Sequence, residues 1–341
     1  MKFTELFKDC TSQGKKIKKE DYLRAGIYPI IDQGQEKVAG YIDEKEGIYS
    51  DVPAIVFGDH TRIIKYIDEP FFLGADGVKV LRCDVPDANH KYLFYALKNA
   101  KIPDTGYNRH YKWLKEIEIK YPARRSQDLV VGILDNLIGV IGNRKQQLEM
   151  LDNLIKSRFV EMFGYPETNP LGWETLSWSR LFNTTTGKLD SNAMVEDGEY
   201  PFFTCAKEAF RIDKYAFECE ALLLAGNNAA GIYDVKHYKG KFNAYQRTYV
   251  ITLKDSEHSY QFFKLMLEWK LERMRELSKG TNTKYLTMGI LNNFDFFNPP
   301  IPFQNQFADF VQQIDKSKVV IRKSLNEIQE LFDCLIQKHF D

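Results

Sequence analysis

The chain has 341 residues and 44% hydrophobic content, which is too long for one ordinary core and predicts two domains. Lysine plus arginine and aspartate plus glutamate both total 47, so zero net charge excludes a global field drawing the molecule to nucleic acid or membrane. Any phosphate contacts must therefore come from a local basic surface or from a partner.

Cysteine usage and the N-terminus limit the cellular compartment. The five cysteines are scattered, odd in number and never form a CxxC pair, which argues against a zinc site or a disulfide framework. The N-terminus lacks an apolar core of signal-peptide length, and no stretch approaches the roughly 18 apolar residues of a membrane span. We therefore expect a reduced, cytoplasmic protein with no membrane contact.

Two segments of the chain show the same order of predicted elements. Each has a polar opening, a Tyr-Pro pair, an apolar strand, a second strand, a helix, a Gly-led basic loop and a final strand before prolines. An offset of 172 aligns Tyr28-Pro29 with Tyr200-Pro201, and Lys112-Trp113-Leu114 with Lys284-Tyr285-Leu286. The predicted strands and helices are Ala54–Gly58, Gly77–Leu81 and Tyr92–Leu97, then Ala221–Gly226, Thr248–Ile251 and Tyr260–Leu277. Strands with single packing helices predict a mixed α/β domain in each segment.

A long helix is predicted after each domain. Gln127 to Met162 forms one helical pattern after Pro122, and an offset of 180 (315 minus 135) aligns it with the last segment of the chain. Apolar residues recur about every 3.5 positions in both, which favours two helices packed on each other over two helices that each cap one domain. The predicted seams are Leu134, Ile138, Ile141, Lys145, Leu148, Asp152 and Ile155, and Ile314, Lys318, Ile321, Leu325, Ile328, Phe332 and Leu335.

The last segment, PIPFQNQFADFVQQIDKSKVVIRKSLNEIQELFDCLIQKHF, resembles the distal conserved helix of type I restriction-modification specificity subunits. Gln127 to Gly164 resembles the central conserved helix, although Arg124-Arg125-Ser126-Gln127 stands where a more acidic lead is expected. Ile31–Gln35, Val56–Arg62 and Phe72–Val78 are similar to recurring phrases of the target-recognition domains in that family.

The resemblance implies an α+β fold with two mixed α/β target-recognition domains, related by an internal pseudo-twofold repeat and separated by two long antiparallel coiled-coil helices. The implied segments are 1–123 and 165–300 for the domains, and 124–164 and 301–341 for the helices. Each domain is expected to read one half of a split double-stranded DNA target, and the helix pair to set the gap. Two modification subunits using S-adenosylmethionine, and restriction subunits using ATP and magnesium, are the expected partners. The chain itself is expected to hold no cofactor and no catalytic site.

Candidate DNA contacts follow from residue type and position. Asn and Arg can bond bidentately to adenine and guanine, Lys suits phosphate, and glycine permits a tight turn near a duplex. The Gly-led loops supply Asn108, Arg109, His110, Tyr111 and Lys112 in the first domain, and Lys279, Thr281, Asn282, Thr283 and Lys284 in the second. A second group follows the apolar strands or offers stacking, amide and charge together: Asp59, His60, Thr61, Arg62, Asn227, Asn228, Tyr245, Gln246 and Arg247.

Three alternatives remain open at this point. Pro103-Asp104 with Glu118-Ile119-Lys120 fits the loose nuclease pattern that holds magnesium, although its carboxylates must converge to share a cation. Asn298-Pro299-Pro300-Ile301 is similar to an adenine-methyltransferase motif but has Ile in place of the stacking aromatic. A scaffold whose domains bind proteins would suit zero net charge, and it would leave the two Gly-led loops on unrelated faces.

Overall fold

The computed structural model describes residues 1–74, 76–106, 108–228 and 231–341. The chain forms two compact units, Met1–Lys145 with Lys323–Asp341, and Gln146–Arg322. Each unit contains one mixed α/β domain and part of both long helices. The α+β class is confirmed, whereas the division into 1–123, 124–164, 165–300 and 301–341 stays a prediction.

The first half of the chain is a series of short strands followed by two helices and one long helix. In chain order its elements are α1 (Phe3–Leu6), β1 (Phe7–Asp9), β2 (Tyr28–Ile31), β3 (Gly40–Ile42), β4 (Ala54–Gly58), β5 (Ile64–Ile67), β6 (Phe72–Leu73), β7 (Val78–Cys83), α2 (His90–Asn99), α3 (Tyr111–Leu114) and α4 (Arg124–Phe163). Two single 3₁₀ turns, Thr11–Gln13 and Lys19–Asp21, lie between β1 and β2.

The second half repeats this series, and some of its strands are longer. Its elements are β8 (Thr175–Ser177), α5 (Trp178–Leu181), β9 (Phe182–Thr186), β10 (Tyr200–Phe203), β11 (Phe210–Ile212), β12 (Phe217–Ala225), β13 (Asn227–Asn228), β14 (Val235–Ala244), β15 (Thr248–Leu253), α6 (Tyr260–Leu277), β16 (Lys284–Tyr285), α7 (Met288–Leu291), β17 (Asp295–Phe297) and α8 (Ile301–Phe340). A 3₁₀ turn at Ser191–Ala193 precedes β10.

The sheet of the first unit is built around the apolar strand β4. The order is β1-β7-β4-β5, and all five residues of β4 are buried. Because a strand with neighbours on both sides and covered faces meets no water, it carries an unbroken apolar run and not an alternating one. A smaller sheet, β3-β2-β6, pairs β2 antiparallel with β3 and parallel with β6.

The second unit repeats that pairing around β12. Its sheet has the order β11-β10-β14-β12-β15-β9, so β12, β15 and β9 stand where β4, β7 and β1 stand in the first unit. The hairpin β10–β11 and the parallel pair β10–β14 match β2–β3 and β2–β6. One difference lies at the end of each domain, where β8 pairs with β17 but the first unit has a single bridge between Lys2 and Glu118.

One sequence alignment is wrong. The offset of 172 places Lys112-Trp113-Leu114 on Lys284-Tyr285-Leu286, yet Lys112 lies in the one-turn helix α3 whereas Lys284 lies in strand β16. The equivalent of α3 is α7, at an offset of 177 (288 minus 111), and both end on a fully buried leucine, Leu114 and Leu291. The aromatic-leucine similarity is therefore coincidental, and the second loop is longer.

The two long helices confirm the predicted pairing within each unit. In the second unit, Phe159 of α4 packs edge-on against Phe307 of α8 at 5.4 Å between ring centres, and Lys318 bonds Asp152 seven residues earlier in α4, so α4 and α8 run antiparallel there. In the first unit, Leu134 near the start of α4 shares a core with Phe332 and neighbouring residues near the end of α8.

The predicted seam of α4 needs a correction. Ile138 is 42% exposed and Lys145 is exposed, whereas Leu137 and Arg144 are partly buried. At these two turns, the residue that faces inward is therefore the one just before the predicted residue. Asp152 is also exposed, and Leu151 lies inward in its place. The seam of α8 fits the prediction, because Lys318 is buried and the predicted apolar positions from Ile314 to Leu335 are partly buried.

A buried glutamine joins each domain to its following helix. Gln127 Oε1 accepts the N–H of Asn89, the N-cap of α2, at 2.9 Å, and Gln127 Nε2 donates to the carbonyl of Pro122 at 2.8 Å. Gln304 does the same 177 residues later, accepting from Ser259, the N-cap of α6, at 3.1 Å. The true offset between the helices is therefore 177 (304 minus 127) and not 180.

None of the helices, over the residues that the structure describes, is long and apolar enough to cross a membrane.

Candidate nucleic-acid interface

In the first unit, the predicted contact residues gather where strands β2 and β4 end and β7 begins. The backbone N–H of Asp59, just after β4, donates to the carbonyl of Gly77 at 2.7 Å, which continues the β4–β7 ladder into the loop. Gln33, just after β2, receives the hydroxyl of Thr61 on its carbonyl oxygen at 2.7 Å and the N–H of His60 on Oε1 at 3.2 Å. The loops after β2 and β4 are thus fastened to each other.

The Gly-led loop of the first unit is held against the same loops by Asp59, which is 4% exposed and is therefore an anchor and not the predicted DNA contact. The carboxylate Oδ1 of Asp59 accepts the N–H of Tyr111 at 2.7 Å, and its carbonyl accepts the N–H of His110 at 2.8 Å. Asn108 and Arg109 remain exposed beside these anchors. Tyr107 in the same loop, and Ala75 in the Phe72–Val78 phrase, lie outside the described residues.

The DNA contact predicted for His110 does not fit its position. The side chain is 1% exposed, and its ring Nδ1 lies 3.0 Å from the carbonyl oxygen of Asp59. A base edge cannot reach a group so enclosed, so His110 holds the loop in place. Tyr111 is also partly buried, and burial raises the pKa of its hydroxyl to about 12.

Arg62 joins the two candidate groups of the first unit electrostatically. Its Nη2 lies 2.6 Å from Oδ2 of Asp104, at the start of the Gly-led loop. The Gly106 N–H, followed by the charge and hydrogen bond of Arg62, lowers the pKa of the Asp104 carboxyl. Lys16 first, and Arg109 to a smaller extent, lower the pKa of the exposed Asp76 carboxyl, so Arg109 acts on the loop before β7.

The second unit brings its predicted contact residues together in the same place. Asn227 and Asn228 form β13, which pairs antiparallel with β16, so that Asn227 faces Tyr285 and Asn228 faces Lys284. The N–H of Gly226, just after β12, donates to the carbonyl of Arg247 at 2.8 Å. Residues 245–247 therefore lie beside Asn227 and Asn228, and beside the second Gly-led loop.

The tip of the second Gly-led loop is exposed and its turn requires glycine. Gly280 has φ +98, and a Cβ there would lie 2.1 Å from the carbonyl oxygen of Thr283. Lys279 and Tyr285 exchange backbone hydrogen bonds of 3.1 and 2.9 Å across the base of the loop. Thr281, Asn282 and Thr283 are exposed on the turn, and Lys284 is partly buried in β16.

A cavity opens between these groups in the second unit. It has a volume of about 290 Å³ and is lined by Gln246, Arg247 and Tyr285 together with residues at the ends of β9, β12 and β15. Gln246 and Arg247 are exposed, while Tyr245 is partly buried and donates its N–H to the carbonyl of Phe203. The cavity places amide, guanidinium and aromatic groups on one rim.

Several residues that build the interface were not predicted. Gln33 fastens two loops in the first unit, and in the second Cys205 Sγ lies 2.8 Å from Oδ1 of Asn227. Asp190 is another such residue, because its Oδ2 lies 3.3 Å from Nε2 of the predicted Gln246. Gln33 and Cys205 both come two residues after the strand that carries the Tyr-Pro pair, and that shared position was the available sequence signal.

The geometry gives no support to a nuclease or methyltransferase site. No group of three or more His, Cys, Asp or Glu side chains placed to hold a metal ion occurs across the four described ranges. The Asp104 carboxylate is paired with Arg62, and the backbone of Glu118 forms an antiparallel β-bridge with that of Lys2. Asn298 accepts a hydrogen bond from the Nε2 of Gln304 at 2.8 Å, so the Asn-Pro-Pro segment belongs to the start of α8.

Comparison with known proteins identifies a family match. The profile described as type I restriction modification DNA specificity domain matches residues 1–152 and 170–330. The EcoDI specificity subunit of a type I restriction enzyme from Escherichia coli is 36% identical over 153 residues, which cover 44% of this chain and 33% of that subunit. The chain thus aligns with about a third of the length of that relative.

A solved structure shares the fold over the whole chain. The type I restriction-modification S subunit from Mycoplasma genitalium has a TM-score of 0.69 at 18% identity, covering 100% of this chain and 95% of that chain. A chain from a structural study of complex assembly in a type I system has a TM-score of 0.51 at 16% identity, covering 92% and 91%.

Proposed function

This chain belongs to the type I restriction modification DNA specificity domain family, and on that premise we propose that it reads a split double-stranded DNA target, one half with each domain. It is the recognition component of a larger enzyme and performs no chemistry itself. Since its target is DNA, we place its action in the cytoplasm.

The observation that supports this proposal most is the repeated loop edge. In each unit, the loop after the central strand, the loop before the next strand and the Gly-led loop meet at one end of the sheet. Exposed amide and guanidinium groups stand on both edges: Asn108 and Arg109 in the first, and Asn282 and Arg247 in the second. Such groups suit hydrogen bonding to base edges in the major groove. Two similar edges on one chain suit a target with two halves.

We propose that modification subunits dock on the long helices and on the domains. Leu129, Ile133 and Val140 of α4 are 66%, 40% and 38% exposed, and their spacing places them on one face of the helix. Solvent-exposed apolar faces of this kind mark surfaces that associate with other proteins. Two modification subunits would use S-adenosylmethionine to methylate adenine, and restriction subunits would use ATP and magnesium to translocate and cut.

The deciding experiment is co-expression with a type I modification subunit in a host without adenine methylation, followed by methylation sequencing of host DNA. We expect one motif made of two short blocks separated by a spacer of fixed length. Omitting this chain is the control and should abolish the motif. A subunit complex that forms normally but leaves no motif in the DNA would favour the protein-binding scaffold.

A further inference from the structure

A groove beside the recognition edge of the first unit has no assigned role. It has a volume of about 480 Å³ and follows the chain from Arg62 into β5 as far as Tyr66, with lining residues Gln35 and Lys37 from the loop after β2 and Phe94 and Lys98 from α2. β5 is the edge strand of its sheet, pairing only with β4 among the described strands. The groove therefore lies between a sheet edge and the helix that packs on it.

The lining of the groove is strongly basic. It contains Lys37, Arg62, Lys65 and Lys98 and no carboxylate. Lys37, Arg62 and Lys65 have carboxylates at 3.8, 2.6 and 3.4 Å, but those carboxylates lie outside the lining. In a chain with zero net charge, a concavity that presents cations and no carboxylate on its own lining is a local surface of the kind that attracts a polyanion.

Lys98 and Lys37 are the groups most available to a ligand. Lys98 is exposed, its ammonium lies 5.7 Å from the ring centre of Phe94, and it has no carboxylate partner within the described residues. Lys37 is exposed and only loosely paired with Asp68. Lys65 differs, because its side chain is 6% exposed and burial lowers its pKa while Asp32 opposes that shift.

A simpler interpretation is that lysines protect an edge strand against pairing with other strands. That function needs charges on the strand itself, and Lys65 alone meets the condition. Lys37 comes from the loop after β2 and Lys98 from the last turn of α2, so two separate elements place additional charges over the same groove. Convergence of this kind fits a binding surface better than edge protection.

Resting on the proposed function, we propose that this groove holds the sugar-phosphate backbone of the DNA that flanks the first half-site. Arg62 is common to the groove and to the loop that carries His60 and Thr61, so a strand passing the recognition edge continues into the groove. Lys37 and Lys98 contact phosphates there. They position the duplex without reading its sequence, since phosphate contacts carry no base information.

The test is a salt titration of DNA binding by the complex of this chain with its modification subunit. Each phosphate contact contributes about 0.9 to the slope of log K against log salt concentration, so K37A/K98A should flatten the slope by about 1.8. Binding to target and non-target duplexes should weaken by the same factor. The matched control is K2A/K8A, which removes two exposed lysines next to α1 and in β1, the opposite edge strand of the same sheet.

Three outcomes would overturn the groove assignment while leaving the proposed function intact. They are an unchanged salt slope, an altered preference between bases, and weakened assembly with the modification subunit at an unchanged slope, which would make the groove a protein-docking surface. A wild-type complex that prefers no DNA sequence would instead refute the proposed function.

Discussion

At the scale of single residues, the recognition edge of the first unit depends on Asp59. The residue is 4% exposed and uses both its carboxylate and its carbonyl to hold the backbone of the Gly-led loop. Hydrogen bonds to an ionised carboxylate are stronger than those between neutral groups. Because Asn108 and Arg109 are carried by that loop, their position depends on a residue that itself faces inward.

We expect Asp59→Ala to weaken reading of the first half-site and to lower the free energy of unfolding by about 1–3 kcal/mol, since the N–H of Tyr111 loses its acceptor. Asp59→Asn keeps an oxygen acceptor and should retain most of both properties. Urea unfolding and methylation of DNA with altered first half-sites measure the two effects. Wild-type discrimination in the Asp59→Ala variant would show that the anchor is not needed.

Residue types and strand order were enough to indicate the recognition edge but not the direction of each side chain. The strand order grouped His60, Thr61 and Arg62, which do lie together. His110 stands among good contact residues in the sequence, yet it is buried because its backbone and ring both meet Asp59, 51 residues earlier. Such a long-range contact leaves no local pattern from which burial could be predicted.

At the scale of elements, Gln127 and Gln304 fix how each long helix meets its domain. Both side chains are fully buried, and each bonds the N-cap residue of the domain helix and a proline carbonyl just before the long helix. We expect Gln127→Leu or Gln304→Leu to destabilise its own unit by about 1–3 kcal/mol for each polar group left unpaired.

Gln306→Leu is the matched control for the buried glutamines, because Gln306 is exposed on α8. Its unfolding free energy should stay within about 0.5 kcal/mol of wild type, as expected for surface changes. Equal stability of all three variants in urea titrations would exclude the glutamines as anchors.

Two of the three polar residues in the predicted seams, Asp152 and Lys318, meet in the structure. Lys318, whose side chain is 8% exposed, bonds Asp152 and has Asp315 at 3.6 Å. Asp152→Ala leaves a buried ammonium with one weaker partner, and we expect a loss of about 1–2 kcal/mol, below the 3–5 kcal/mol of fully buried pairs. Lys318→Leu leaves only an exposed carboxylate and should cost less, and the double variant should match it. Calorimetry that ranks Lys318→Leu as the more damaging change would contradict this account.

The repeat of the two long helices shows why the offset predicted from the sequence was wrong by only three residues. An α-helix has 3.6 residues per turn, so an offset wrong by three residues still aligns nearly the same face. The apolar pattern of α4 and α8 therefore fits 180 almost as well as 177, and within these helices the buried pair Gln127 and Gln304 decides between them. Two polar residues at apolar-facing positions could have supplied that signal.

At the scale of the whole molecule, the repeat made the architecture predictable and the zero net charge concealed the basic groove. Two domains, each followed by a long helix, follow from internal similarity. The cations of the groove come from loops, a strand and a helix, and the first and last of them, Lys37 and Lys98, are 61 residues apart (98 minus 37). Their proximity depends on how α2 packs on β5, which no local pattern encodes.

Because each recognition edge is built from residues of one unit and each unit has its own core, the two edges should act independently. We expect Arg109→Ala to relax discrimination in the first half-site only, and Asn282→Ala in the second only. A bidentate contact to a base is worth about 1–3 kcal/mol, so each change should reduce discrimination at one position by roughly 5- to 150-fold.

Methylation sequencing with a library that varies each half-site separately measures both effects in one experiment. Residues that share no partner contribute additively, so the double variant should show the sum of the two losses. Arg24→Ala and Asn305→Ala are exposed controls outside the edges, and we expect both to keep the wild-type motif. If Arg109→Ala altered the second half-site, or if both variants still rejected every single-base change, the edges would not be independent readers of the two halves.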